Sequence, residues 1–273
     1  MSRTAIIAGR GALPAILARA IDDPQVYALE GFEPDGIKAT PFRLERLVPF
    51  LDHLHQERID RVVFAGAIQR PRLDPESFDQ RTAMLVPRIL TAMQSGDDAA
   101  LRTVLDIFEE NDLSISSASE IAPDLTPDEG VIVGEVTTAD RRDAALAARI
   151  VETLGPLDVG QGAVVAQGLC LAIESLPGTR AMLEFAGQHT HLRPRADGAR
   201  GMLWKAPKPG QDLRIDMPTI GPDTVDQAAE AGLGGIAWQA GKVILLDRDE
   251  SVRRAEAAGI FLWSAGPFDG QQG

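Results

Sequence analysis

The chain has 273 residues, of which 27 are Lys or Arg and 40 are Asp or Glu, so its formal net charge at pH 7 is −13. At this length a single hydrophobic core usually stops growing, which predicts one large or two modest domains. The acidic balance disfavours nucleic-acid binding, because nucleic-acid binders displace counterions with basic faces. An anionic ligand therefore requires a local basic pocket.

The sequence also bears on compartment and redox chemistry. The opening MSRTAIIAGRG has too few apolar residues for a signal peptide, and no apolar stretch approaches the roughly 20 residues that cross a bilayer. We therefore expect a cytoplasmic protein whose membrane contact is peripheral. The single cysteine, Cys170, lies in the apolar run GLCLAI, which predicts a buried thiol and no internal disulfide.

The N-terminal part alternates strand and helix patterns. Residues 4–21 predict a short apolar strand, a glycine turn and an amphipathic helix. Further strands are predicted at 26–31, 61–67 and 113–121, with helices at 46–58 and 101–111. This alternation predicts a Rossmann-like domain with a mostly parallel sheet.

The stretch 122–140 combines proline, glycine and acidic residues without helical periodicity, which predicts a connection. We expect an N-terminal domain over 1–132, a linker over 133–140 and a C-terminal domain over 141–273. The pattern then restarts with helices at 143–155, 179–187, 224–233 and 250–259, and strands at 162–168, 169–175, 200–206, 235–239 and 242–247. Because the strands at 162–175 run as a hairpin, the second α/β domain is expected to have a mixed sheet.

The first glycine turn, GRGALP at 9–14, lies between a strand and a helix, where bare amides can approach a phosphate. Gly9, Gly11 and Leu13 are therefore candidate substrate-binding residues. A tight turn without a ligand explains the pattern equally well. A dinucleotide site is less expected, because Pro14 stands where the G-x-G-x-x-G motif needs its last glycine.

Two further turns carry charge. AGAIQRP at 65–71 ends a strand, so Arg70 either clamps a phosphate or pairs with nearby acids. SGDD at 95–98 begins a helix, where Asp97 or Asp98 can cap the first turn. Capping requires only one aspartate, so both remain candidates for substrate contact.

The richest segment is WKAPKPGQDLRIDMPTIGPDT at 204–224, which four prolines prevent from forming a long helix. It carries three cations and three carboxylates: Lys205, Lys208, Arg214, Asp212, Asp216 and Asp223. If QDLRID is a strand, Asp212, Arg214 and Asp216 line one face. Such a set suits metal-dependent diphosphate hydrolysis, and a solvated, salt-bridged strand edge is the alternative.

The successive motifs of the chain resemble those of the LpxI family almost from end to end: AGRGALP, AGAIQRP, SGDDAALR, LDVGQGAVV, LAIES followed by GTRAML, LWKAPKPGQDLRIDMPTIGPDT, AEAGLGGIAWQAGKVILLD and AEAAGIFLW. The resemblance implies two α/β domains enclosing the substrate. It implies Mg²⁺-dependent hydrolysis of UDP-2,3-diacylglucosamine to UMP and 2,3-diacylglucosamine 1-phosphate. Pro177 and Arg180 depart from the family pattern, because relatives tend to have acidic residues there.

The charged residues of the C-terminal half are assigned roles as hypotheses. Asp223, Asp216 and Asp212 are the expected catalytic residues, and Asp223, Asp216 and Glu174 the expected Mg²⁺ ligands. The expected substrate-binding residues of the C-terminal half are Lys205, Lys208, Gln211, Arg214, Thr219 and Thr224. Asp223 or Thr224 can alternatively cap the helix that follows.

The expected partners are a lipid-linked sugar nucleotide, no nucleic acid, and the inner membrane in transient peripheral contact, and a homodimer is left open. Two other functions remain as alternatives. A dinucleotide-dependent oxidoreductase is suggested by the glycine turn, although the ribose-binding acid is missing. A non-catalytic sugar-nucleotide binding protein is suggested by Pro177 and Arg180.

Overall fold

The computed structural model describes residues 3–68, 73–94 and 96–268, apart from the side chain of Asp97. The chain forms two compact units, Met1–Pro123 with Asp212–Asp216, and Asp124–Gln211 with Met217–Gly273. A short piece of the C-terminal half thus belongs to the first unit. The linker at 133–140 remains a prediction from sequence.

The first unit is built on a parallel sheet of five strands in the order β3-β2-β1-β4-β5. The strands are β1 Arg3–Ala8, β2 Gln25–Leu29, β3 Thr40–Phe42, β4 Ile59–Ala65 and β5 Ser114–Ser116. The helices are α1 Leu13–Ala20, α2 Leu47–Gln56, α3 Gln80–Ala83, α4 Val86–Gln94, α5 Asp97–Glu109 and α6 Ala118–Ile121. The predicted Rossmann-like parallel sheet is confirmed.

The strand order decides where a ligand can bind to this unit. The carboxyl-terminal parts of β1 and β4, AIIA and VVFA, are apolar and buried, as expected for a parallel sheet covered on both faces. The order reverses between them, and open α/β sheets bind ligands outside the carboxyl ends of the strands at such a reversal. The turns that follow β1 and β4 are the two glycine turns singled out from the sequence.

The predicted strand at 113–121 is only partly correct. After β5, Ser117 caps α6: its hydroxyl accepts a hydrogen bond from the Glu120 amide at 3.1 Å, and the Glu120 carboxylate accepts one from the Ser117 amide at 3.1 Å. This reciprocal pair is a capping box. The sequence S-x-x-E therefore favours a helix start where the apolar run alone suggested a longer strand.

The second unit contains a mixed six-stranded sheet in the order β6-β13-β11-β9-β7-β8 and a two-stranded parallel sheet, β10-β12. Its strands are β6 Gly130–Val133, β7 Gly162–Ala166, β8 Leu169–Ile173, β9 Met202–Lys205, β10 Thr219–Ile220, β11 Gly235–Gln239, β12 Ile244–Leu245 and β13 Phe261–Ala265. Its helices are α7 Thr138–Leu154, α8 Gly178–Gln188, α9 Pro222–Glu230 and α10 Arg248–Ala258. The predicted β7–β8 hairpin and mixed sheet are confirmed.

The two faces of the six-stranded sheet carry separate cores. On one face Leu203, Ile236 and Trp238 pack in a cluster that includes side chains of α8, α9 and α10. On the other face Met202 and Trp204 pack with α7. The alternation along β9 follows from the two-residue period of a strand. Lys205, at the end of β9, is consequently on the same face as Leu203.

Three predictions for this unit need correction. The stretch 122–140 is not only a connection, because it contains β6; three apolar residues between two glycines gave too short a signal. The strand β13 was not predicted as an element. Cys170 is exposed, because β8 is the last strand of its sheet. No helix in the described ranges is long and apolar enough to cross a membrane.

Candidate active site

The two glycine turns of the first unit pack backbone against backbone. The Gly9 amide donates to the Ala65 carbonyl at 2.7 Å. A Cβ at Gly9 would lie 2.6 Å from the Ala67 oxygen, and a Cβ at Gly66 would lie 2.6 Å from the Gly9 oxygen. Since no side chain tolerates such distances, close packing is by itself a sufficient reason for glycine at both positions.

The other residues of the first turn differ in exposure. Gly11 has φ +97 and open space around its Cβ position, so backbone conformation alone requires glycine there. Leu13 is buried at the start of α1, where it packs in the core. Arg10, not singled out from the sequence, is exposed: its guanidinium lies 5.3 Å from the Phe32 ring centroid and donates to the Gly31 carbonyl at 2.8 Å.

The charged turns predicted at 70 and 97–98 are only partly described. Arg70 lies outside the described residues, as does the side chain of Asp97. The helix α5 has Gly96 at its N-cap with φ 117 and no side-chain cap. Asp98 is therefore not the cap, and its carboxylate lies 3.7 Å from the Arg102 guanidinium one turn further along.

Residues 212–216 form a helical turn and not the predicted strand. The amides of Ile215 and Asp216 both donate to the Asp212 carbonyl, at 3.3 and 3.2 Å. Asp212, Arg214 and Asp216 therefore do not share a strand face. Ile215 packs against the core of the first unit, which anchors the turn there.

Arg214 is held by two carboxylates within this unit. Its guanidinium donates to the Asp212 carboxylate at 2.7 and 3.0 Å and to Glu109 at 2.6 Å. Hydrogen bonding to Arg214 lowers the pKa of Asp212, and the same bonds raise the pKa of Arg214. The predicted catalytic carboxylate and the predicted phosphate-binding cation thus neutralise each other.

Lys205 and Glu174 form a buried ion pair in the second unit. The Lys205 ammonium donates to both Glu174 oxygens at 2.9 Å and to the Thr179 hydroxyl at 2.5 Å, and the two charged residues are 4% and 9% exposed. Gly162 makes room for this pair, because a Cβ there would lie 2.8 Å from a Glu174 oxygen. The structure therefore places Lys205 against Glu174, which was expected to bind metal.

The residues around this pair lie in turns at the same end of the strands: before β7, after β8 and after β9. Lys208 contacts the Asp158 carboxylate, and its amide donates to the Gln211 side-chain carbonyl at 2.8 Å. Pro177 precedes α8, and Arg180 pairs with Glu184 at 3.3 Å on the exposed side of that helix. Thr179, which was not singled out from the sequence, lies in GTRAML, between these two departures from the family pattern.

Asp223 lies in the first turn of α9, just after β10. Its side chain is 92% exposed, and the nearest cation is the Arg254 guanidinium at 3.8 Å. Asp223 does not cap the helix; instead the Thr224 hydroxyl accepts from the Gly221 amide at 3.3 Å. The Thr219 hydroxyl donates to the Met217 carbonyl at 3.1 Å. The alternative that Asp223 merely caps α9 therefore finds no support.

These contacts determine which of the predicted metal ligands are accessible to a metal ion. No group of three or more His, Cys, Asp or Glu residues able to hold a metal occurs in the part of the chain that the structure describes. Both carboxylate oxygens of Glu174 accept hydrogen bonds from the Lys205 ammonium. Asp223 remains a suitable ligand, since Mg²⁺ in phosphate-processing sites commonly takes one or two carboxylates together with substrate phosphates and water.

The fold and site define a two-unit α/β protein with a Rossmann-type strand order and a charged second unit. Comparison with known proteins identifies its family: residues 3–125 match the LpxI N-terminal domain and residues 128–263 match the LpxI C-terminal domain. The chain is 36% identical over 277 residues to UDP-2,3-diacylglucosamine pyrophosphatase LpxI of Caulobacter vibrioides, covering 98% of this chain and 99% of that relative. The chain belongs to the LpxI family, which confirms the resemblance seen in its motifs.

Proposed function

We propose that the protein hydrolyses the diphosphate bond of UDP-2,3-diacylglucosamine to UMP and 2,3-diacylglucosamine 1-phosphate in lipid A biosynthesis. The observation that carries this proposal is the match over nearly the whole length of a relative named for this activity. No feature of the described residues favours the oxidoreductase or the non-catalytic alternative.

Asp223 supports the hydrolytic chemistry through its position. Its carboxylate is exposed at the start of α9 and is not used as a cap. A carboxylate in hydrogen-bond reach of a water can accept its proton as the water oxygen bonds to phosphorus and the bridging P–O bond breaks. We assign Asp223 this role, and we assign Lys208 and the positive end of the α9 dipole to the substrate phosphates.

We also propose that Mg²⁺ is the cofactor, as the resemblance predicts. Mg²⁺ supplies charge neutralisation at the diphosphate oxygens when it is bound. Of the predicted ligands, Asp223 is the one whose described contacts best support this role. Asp216 stays a predicted ligand and catalytic residue. Glu174 is a weaker candidate, because both of its carboxylate oxygens accept hydrogen bonds from Lys205.

The assay that tests the function uses the purified chain, UDP-2,3-diacylglucosamine in detergent micelles, and separation of uridine products. We expect UMP to be released with Mg²⁺ and to disappear when EDTA is added. UMP release that persists in EDTA would contradict the Mg²⁺ proposal alone. Failure to release UMP with any divalent cation would contradict the proposed hydrolysis.

The cytoplasmic location and the transient membrane contact belong to this proposal as well. A substrate with two acyl chains partitions into the inner membrane, so its hydrolysis requires the protein to visit the membrane surface. We expect a small fraction of the protein to float with vesicles that contain the substrate and less with vesicles that lack it. Equal flotation with both would contradict substrate-dependent contact.

A further inference from the structure

The strand β8 ends the six-stranded sheet with one side open. It pairs with β7 on one side, and no other strand in the described residues pairs with it. Its sequence, LCLAI, has neither a charge nor a proline. Proteins usually protect such edges, because the free N–H and C=O groups can pair with another strand. One bulge, at Leu171, interrupts the pairing with β7.

The side chains around this edge are apolar and exposed. Leu169 is 47% exposed, Ile173 is 41% exposed, and Cys170 lies between them. The neighbouring helix α8 adds Phe185, which is 50% exposed and stacks on the His189 ring with a centroid distance of 4.2 Å. We call Leu169, Cys170, Ile173 and Phe185 the edge patch.

Phe185 lies on the outer flank of α8. The other flank lines a cavity of about 300 Å³ with residues of α9, through Arg180, Glu184 and Gly187 among others. The core side carries Met182 and Ala186. With 3.6 residues per turn, Phe185 lies on the remaining side, away from α9, and α9 packs further towards the centre of the sheet than α8. Ile173 pairs with Ala163, whose side chain packs on the α7 face, so Ile173 and Phe185 flank the open side of β8 from the two faces of the sheet.

We propose that the edge patch binds a second copy of this chain, with β8 pairing antiparallel to β8 of the partner and joining the two six-stranded sheets. A two-fold axis through the strand makes the contact isologous, so each copy offers the extended, uncharged edge that the other requires. This inference is independent of the proposed hydrolysis.

Charge explains why a second copy fits this edge and not the opposite one. Each chain carries a net charge of −13, so two copies repel wherever their carboxylates meet. The opposite edge strand, β6, is flanked by Asp128, Glu129 and Glu135. At β8 the flanking acid is Glu174, whose charge is neutralised by Lys205 inside the protein. The β8 edge is therefore the neutral edge of an acidic protein.

The test measures the mass of the intact chain by light scattering coupled to gel filtration. The wild type is expected at twice the single-chain mass of 29.2 kDa. Ile173→Lys should raise the dimer dissociation constant about tenfold or more, because a charge on an edge strand opposes pairing. Val131→Lys is the matched control: Val131 is 43% exposed on the opposite edge strand, and this variant should stay dimeric.

Cys170 provides a second readout, the rate of alkylation of its thiol. We expect slower alkylation in the wild type and in Val131→Lys than in Ile173→Lys. If Ile173→Lys does not fold, as judged by circular dichroism, Phe185→Glu replaces it with the same expectation. A wild type at single-chain mass overturns the proposal, and so does a dimer that survives the edge variant or leaves Cys170 equally reactive.

Discussion

Asp223 and Asp212 were both predicted to be catalytic, and their surroundings now separate them. The Asp212 carboxylate is held by Arg214, whereas the Asp223 side chain is 92% exposed with its nearest cation 3.8 Å away. A carboxylate that must meet both water and substrate needs this accessibility. The residue type and the rigid turn around Asp223 can be predicted from the sequence, but the exposure of its side chain depends on tertiary packing and cannot.

Replacing Asp223 with Ala should abolish most activity without unfolding the protein. We expect kcat to fall about 100-fold or more, the usual range for a lost general base, and the free energy of unfolding to change by less than about 0.5 kcal/mol, as for an exposed side chain. Steady-state UMP release and urea unfolding measure both. Asp249→Ala, at the same position of α10 and also exposed, is the matched control. Retained turnover in Asp223→Ala would remove this residue from the mechanism.

The buried pair Lys205–Glu174 gives a second prediction at this scale, on stability. Lys205→Met leaves the Glu174 carboxylate buried and unpaired, which should cost about 3–5 kcal/mol in the free energy of unfolding. The double variant Lys205→Met with Glu174→Gln should recover a large part of that loss, because the remaining group is neutral. Urea unfolding of the wild type, both single variants and the double variant forms the cycle. Additive losses would mean that the two residues do not act as a pair.

At the scale of elements, the turn at 212–216 explains one error of the sequence analysis. Charged residues at alternating positions fit a strand face, but they fit a helical turn equally well when the Asp212 carboxylate accepts a hydrogen bond from the Arg214 amide, at 3.0 Å. The partner that decides between them, Glu109, is 105 positions away in sequence. Local periodicity carries no information about such a contact.

Asp212 in this turn should stabilise the folded protein at neutral pH, and this stabilisation should be lost in acid. Because its pKa is lower in the folded protein, its contribution is complete above the ordinary carboxyl value of about 3.9 and is lost as pH falls towards the lowered value. Asp212→Asn should therefore lower stability at neutral pH and flatten its fall between about pH 4 and the acid limit. Chemical unfolding across that range measures it, with Asp197→Asn, in an exposed loop, as the control. Parallel pH profiles for Asp212→Asn and wild type would contradict the assignment.

The glycine turns after β1 and β4 make a prediction about packing. Gly66→Ala places a Cβ 2.6 Å from the Gly9 oxygen at φ +94, whereas Gly31→Ala meets nothing within 4 Å at φ +87. Both changes carry backbone strain of about 1–3 kcal/mol, so the extra loss in Gly66→Ala isolates the close approach. Thermal unfolding of the two variants provides the comparison. Equal losses of stability in the two variants would show that the turn at Gly9 can shift to accommodate the added Cβ without a loss of stability.

For the molecule as a whole, the alternation of strands and helices was enough to predict two α/β domains with a parallel and a mixed sheet. The short strands β6 and β13 were missed because three or four consecutive apolar residues close to glycine resemble a loop or the end of a helix. The assignment of residues 212–216 to the first unit could not be predicted from the sequence either. It depends on Ile215 packing in a core formed more than 100 residues earlier.

Because residues 212–216 belong to the first unit, a substitution at Arg214 should affect amide hydrogen exchange in that unit alone. Arg214→Met removes the bonds to Glu109 and Asp212, which are partly exposed and together contribute about 1 kcal/mol or less. Amides of β1 and β4 should then exchange with solvent deuterium up to about fivefold faster, while those of β9 and β11 keep their rates, because local stability differs between cooperative units. Hydrogen exchange with mass spectrometry measures both regions. Arg195→Met, in an exposed loop of the second unit, should leave both unchanged. Equal acceleration in both units would contradict the assignment of residues 212–216 to the first.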